Sequence, residues 1–181
     1  MKAIFRLLII LLSVAYPFIV YWGLSQQHQS IVMVLLCALL LSRIVLAKSR
    51  AERSMVVAMT VIVAVVLWFN KDVGLLFYPV IINLLFLMMF AGSLVVGMPV
   101  IERLARIREP NLPPEGVRYT RRVTYAWCLF FVLNAALSML TVVWADPQIW
   151  LLYNGIIAYF LMGAMFIGEW LIRRRVRVAT P

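Results

Sequence analysis

Apolar residues in this chain come in long runs broken by short polar stretches. The runs cover residues 4–24, 31–47, 54–69, 73–99, 123–145 and 150–172. A helix needs roughly 20 mostly apolar residues to cross a bilayer, so each run reads as one transmembrane helix. A transmembrane barrel would instead show short segments of alternating polarity. The predicted fold is all-α, a polytopic membrane bundle of about six transmembrane helices in a single domain. The third run is short and suits a thin span. The fourth is long and holds Pro79, Gly92, Gly97 and Pro99. Pro17 predicts a kink in the first helix, which neighbouring helices tolerate. Ser13-Val14-Ala15 has the look of a signal-peptide cleavage site. The run continues through Tyr16–Trp22, however, where mature sequence would be polar, so the segment is expected to be retained.

The polar breaks set the orientation. Ser25–Ser30, Asn70-Lys71-Asp72 and Asp146-Pro147-Gln148 are short turns, and 100–122 is a longer loop. With odd loops outside and even loops plus both termini inside, the cytoplasmic side carries 16 of the 17 Lys and Arg residues and the outside only Lys71. The positive-inside rule therefore predicts both termini in the cytoplasm, and a helix more or fewer would scatter the arginines over both faces. Within the loop, Val100, Ile101, Leu104 and Ile107 have helical spacing, and Glu102 stands four residues before Arg106. This predicts a short helix over 100–109 lying on the membrane surface. Pro110, Pro113, Pro114 and Gly116 then predict an extended turn.

Composition agrees. Of 181 residues 65% are hydrophobic, and the mean hydropathy is +1.00. A globule of this size still exposes much of its surface and could not hide that excess. The net charge is +10, but the basic residues cluster at helix ends, and no stretch is suited to tracking a nucleic-acid strand. Anionic lipid head groups are the expected partners, with a membrane-protein partner or a second copy, and no nucleic acid. Cys37 and Cys128 lie singly inside apolar runs, so neither a disulfide nor a metal site is expected. No metal-binding, phosphate-loop or nucleophile-elbow motif is present, which predicts no cofactor and no catalytic residue. The one histidine, His28, has no evident partner.

A few side chains invite a function. Arg103, Arg106, Arg121 and Arg122 crowd the amphipathic loop and are the candidate contacts for anionic lipid or an acidic partner. Asn83, Asn134 and Asn154 sit within apolar runs, where an amide needs a partner. They read as interhelical glue, Asn134 pairing with Asn83 or a backbone carbonyl, or else as substrate contacts. Tyr153 joins them as a candidate buried polar group. Glu169 precedes Arg173 by four residues and reads as half of an interfacial ion pair, with a proton relay as the alternative. Ser93/Gly97 and Ala164/Gly168 are small pairs four apart that favour close helix contact. Trp22, Trp68, Tyr78, Trp144, Trp150 and Tyr153 fall near external ends and read as an aromatic belt. Residues 77–82 (FYPVII) echo 152–157 (LYNGII), a weak sign of a repeated helix pair.

Longer motifs lie in the second half: Gly97-Met98-Pro99-Val100-Ile101-Glu102-Arg103-Leu104-Ala105, Glu109-Pro110-Asn111-Leu112-Pro113, Tyr119-Thr120-Arg121-Arg122-Val123-Thr124, Trp127–Asn134 and Trp150–Gly155. On these the chain resembles a family of small uncharacterised proteobacterial inner-membrane proteins often encoded in aryl polyene pigment clusters. It is more distantly similar to the intracellular septation protein A family. The close resemblance covers 77–175. Where the septation family has a lysine after the aromatic residue that precedes the last helix, this chain has Asn154. The resemblance implies a multi-pass protein of the bacterial inner membrane. The expected role is non-enzymatic, an accessory or assembly factor for envelope lipid or aryl polyene biosynthesis. The alternative is a small transporter or lipid carrier with a polar path at mid-membrane.

Overall fold

A computed structural model describes residues 2–46, 75–178 and, between them, Arg53, Val56, Val57, Thr60, Val61 and Ala64. Every element among the described residues is helical. Helix α1 spans Lys2–Ser25 and α2 Gln29–Leu46. Helix α3 spans Tyr78–Val95, α4 Val100–Arg106 and α5 Pro114–Trp144. Helix α6, Pro147–Leu152, widens into a π-helical turn, Tyr153–Ile157, and continues as α7, Ala158–Val178. Most of the third apolar run, Trp68 and the turn at Asn70-Lys71-Asp72 lie outside the described residues.

Among the described residues three helices are long and apolar enough to cross a membrane: Tyr78–Val95, Pro114–Trp144 and the continuous Pro147–Arg174. The described apolar stretches of the first pair, Val14–Ser25 and Ser30–Leu46, are shorter. Only 39%, 28% and 11% of the most apolar windows of the three long helices are buried inside the protein. Leu129, Phe160 and Ile167 are among the side chains that point outward. Water would not tolerate so continuous an apolar surface, whereas lipid solvates it. The chain is an all-helical membrane protein.

The chain forms two compact units: Met1–Ile82 with Ala135–Ile156, and Asn83–Asn134 with Ile157–Pro181. In the first, α1 and α2 make a tight hairpin. Gln27 takes φ 57° at the turn, and the His28 amide donates to the Gly23 carbonyl at 2.7 Å. Gly23 is buried, and a methyl group there would run into the buried side chain of Val32. The missing Cβ is what lets the two helices close. His28 has a neighbour after all, its ring lying 5.7 Å from that of Trp22.

The aromatic belt needs correcting in this unit. Trp22 and Trp144 face outward, but Tyr78, Trp150 and Tyr153 are core. Trp150 is only 1% exposed and donates its indole N–H to the Leu76 carbonyl at 3.1 Å. The Tyr16 hydroxyl donates to the adjacent Leu75 carbonyl at 2.9 Å, and its ring lies 4.1 Å from that of Tyr78. Leu75 and Leu76 end a helical turn, whose last carbonyls need donors when no water reaches them, and Tyr and Trp supply a donor on an otherwise apolar body.

In the second unit Phe90, Trp127 and Phe131 form the core, with Phe86 stacked on Phe131 at 5.3 Å. Helix α3 ends at Val95, short of the expected residue 99, because Gly97 takes φ +85° and turns the chain. The Ser93 hydroxyl donates to the Phe90 carbonyl at 2.7 Å and accepts the Val100 amide at 3.1 Å, fastening α4 to α3. The stretch 100–122 is not one loop. Helix α4 stops at Arg106, and α5 starts at Pro114, a residue suited to the first helical turn because it lacks an N–H. Gly116 therefore lies inside α5, packed on Leu112, and the irregular segment is only 107–113. At Gly168 the expected close helix contact is not made among the described residues, where a Cβ would meet nothing.

Candidate functional site

Within the second unit, α4, the start of α5 and the end of α7 enclose a cleft of about 920 Å³. At its apolar end the Trp127 and Phe166 rings lie 4.8 Å apart. Trp127 is held by the buried core behind it, whereas Phe166 is open on one side. Leu104 and Trp170 extend this lining. At its polar end stand Arg108, Glu109, Glu115, Glu169, Arg173 and Arg174.

Two contacts fix the walls. The Tyr119 hydroxyl of α5 donates to the Glu169 carbonyl of α7 at 3.2 Å. The Arg174 guanidinium carbon sits 4.1 Å from the centre of the Trp170 ring, a cation–π contact one turn along α7. Glu169 and Arg173 form the i,i+4 pair that their spacing suggests, at 3.4 Å. Glu115 pairs with Arg118 at 3.1 Å. Arg108 is exposed and makes no ion pair among the described residues. The arrangement can seat an amphipathic ligand, with an apolar part against the rings and an oxyanion at the guanidinium groups.

The four arginines singled out from the sequence are not one open set. Arg106 is engaged: its Nε and Nη2 donate to the buried Glu102 carboxylate at 2.9 and 2.8 Å, and its Nη1 donates to the Pro110 carbonyl at 2.9 Å. Arg103 donates to the Met98 carbonyl at 2.8 Å and Arg121 to the Leu94 carbonyl at 3.3 Å. Arg121 thus satisfies a carbonyl in the last turn of α3, where a cation also matches the helix dipole, and Arg103 one in the turn that follows. Arg122 is exposed. Glu102 turns inward, Val100 and Ile101 pack against the aromatic core, and Leu104 and, just beyond α4, Ile107 are 56% and 76% exposed. Of the predicted apolar face, only these last two are open to lipid.

The buried polar side chains pair among themselves. In the second unit Asn134 Nδ2 donates to Asn83 Oδ1 at 2.9 Å. In the first, Asn154 is the hub: its Oδ1 accepts from Ser138 Oγ at 2.7 Å, and its Nδ2 donates to Thr141 Oγ1 at 3.1 Å and to the Trp150 carbonyl at 3.0 Å. The π turn begins at Tyr153, and the Trp150 carbonyl just before it accepts both the Tyr153 amide and the Asn154 side chain. Tyr153 is buried, and Glu169 is half-buried at the cleft.

Arg108, Arg174, Phe166 and Trp170 were not picked out from the sequence. A usable signal exists: Phe166, Trp170 and Arg174 are spaced i,i+4,i+8, so two aromatics and a cation share one face of α7. Among the described residues no group of His, Cys, Asp and Glu could hold a metal ion. Cys37 and Cys128 are free thiols. No protein-family model matches the chain, nor does any curated protein or solved structure.

Proposed function

We propose that this protein crosses the bacterial inner membrane about six times with both termini in the cytoplasm. It serves as a non-enzymatic accessory or assembly factor for envelope lipid or aryl polyene biosynthesis. It works by holding lipid, with a membrane-protein partner or a second copy acting on what it holds. The cleft carries this reading, since its aromatic end and its guanidinium end match the two halves of a lipid. The 16-to-1 distribution of basic residues and the sequence resemblance support the topology and the envelope role. Deleting the gene should change the lipid or pigment profile of the envelope. Wild-type protein should restore it, and F166A/W170A, which strips the aromatic lining, should not. An unchanged profile in the deletion strain would overturn the role.

A further inference from the structure

We infer that the cleft takes one anionic phosphodiester lipid from the cytoplasmic leaflet, its phosphate at Arg108 and Arg174 and its first chain carbons against Phe166 and Trp127. The inference rests on the lipid-holding reading above and adds the head-group class and the residues that select it.

The gradient of polarity along the cleft comes first. Phe166 and Arg174 are eight residues apart on α7, about 12 Å along the helix. That distance crosses from acyl chain to head group, the boundary that amphipathic surfaces occupy. A soluble anion would have no use for the aromatic end, and a purely apolar ligand none for the arginines. Trp127 backs the apolar end, its ring 5.6 Å from that of Phe131, while the exposed side of Phe166 leaves the chains a way out to the surrounding lipid.

Charge then selects the head. The cleft is lined by Arg108, Arg173 and Arg174 against Glu109, Glu115 and Glu169, and Glu115 is paired outside the lining with Arg118. Glu109 and Glu169 have partners as well, whereas Arg108 and Arg174 make no ion pair among the described residues. A diester phosphate with an uncharged alcohol brings one negative charge to these two guanidinium groups, whereas a zwitterionic choline head would bring a cation to them as well. Arg173 is committed to Glu169, which leaves Arg108 and Arg174 as the phosphate donors. The contact with Trp170 holds Arg174 while its N–H groups remain able to reach an oxyanion, for which a planar guanidinium is suited.

Native mass spectrometry of the detergent-purified full chain tests this, with phosphatidylglycerol or phosphatidylcholine added. One phosphatidylglycerol per chain should be retained and phosphatidylcholine lost. R108Q/R174Q should weaken phosphatidylglycerol binding about 30-fold, at roughly 1 kcal/mol for each arginine near the head group. R53Q, an exposed site outside the cleft, should leave it unchanged. Should the double variant fold poorly, R108Q alone, on an exposed turn, should show about a fivefold loss. Equal retention of both lipids would overturn the head-group assignment and leave lipid holding intact. Retention of neither would overturn both. Displacement by water-soluble glycerophosphoglycerol at equal concentration would make the ligand a soluble phosphate and refute the lipid. Unaltered affinity in the arginine variants would refute their role.

Discussion

Replacing Asn134 with Leu tests what amides do in the apolar part of the second unit. Asn134 on α5 donates to Asn83 on α3 at 2.9 Å, and both side chains are buried. Leu keeps the Cγ branching of Asn but is larger, and Phe131 lies one turn away, so overpacking adds to the polar loss and the cycle with N83L isolates the bond. Side-chain bonds between membrane helices average about 0.6 kcal/mol and reach about 1.7. The variant also deprives the Asn83 carbonyl oxygen of that donor in a site without water, so the expected loss is about 1–2 kcal/mol. N83L should cost a similar amount. The double variant should cost less than the sum, with a coupling of at least about 0.5 kcal/mol. Reversible unfolding by SDS in mixed micelles, followed by tryptophan fluorescence, measures all four corners of the cycle. Costs that add within about 0.3 kcal/mol would refute the bond as a stabilising contact. Loss of function in N134L at full stability and abundance would refute a structural role and favour the carrier alternative.

G23A should destabilise the α1–α2 hairpin by about 1–3 kcal/mol through overpacking, and V32A should relieve it in the double variant, read as melting temperature in detergent. W150F removes the donor to the Leu76 carbonyl and leaves a cavity where the larger indole sat; about 1–3 kcal/mol should be lost in the same assay, and no loss would mean that the site collapses and the carbonyl finds another donor. Reporter fusions after Arg53, Gly116 and Arg177 should read cytoplasmic, and those after Gln27 and Pro147 external. An external reading at Gly116 would sink the proposed topology, because 100–122 carries Arg103, Arg106, Arg108, Arg118, Arg121 and Arg122.

What could be read from the sequence follows the strength of each signal. The helices near residues 78–95, 123–144 and 150–172 were legible because long apolar runs need no partner to identify them. Their ends were less so. Helix α3 stops at Val95 through one positive φ at Gly97, which composition does not register. Pro114 was read as a breaker when it is a starter, since proline serves both ends of a loop. The pairs Glu102/Arg106 and Glu169/Arg173 were legible because i,i+4 spacing is local. Trp150 was not, because depth along a helix says nothing about which way a side chain points. A belt tryptophan and one buried on the Leu76 carbonyl have the same sequence signature. The cleft was missed for a related reason: arginines were weighed by density along the chain, and Arg103, Arg106 and Arg121 are spent on nearby acceptors.

The bonding of the polar side chains also bears on the choice between accessory factor and carrier, which we read as follows. A carrier path needs polar groups that can leave one partner and take another. Asn154 has its oxygen and both amide hydrogens occupied by Ser138, Thr141 and the Trp150 carbonyl. Breaking that set to greet a substrate would strand several groups at once in a medium without water, so it is better suited to fixing a backbone turn. In the other unit, Asn83 and Asn134 meet each other, and the cleft is closed short of them by Trp127 and its aromatic neighbours. Conduction would require that aromatic core to open. Holding a lipid at the cleft mouth requires only the side chains already exposed there, Phe166, Trp170, Arg108 and Arg174. The arrangement favours a protein that retains a lipid at one face of the membrane over one that passes it across.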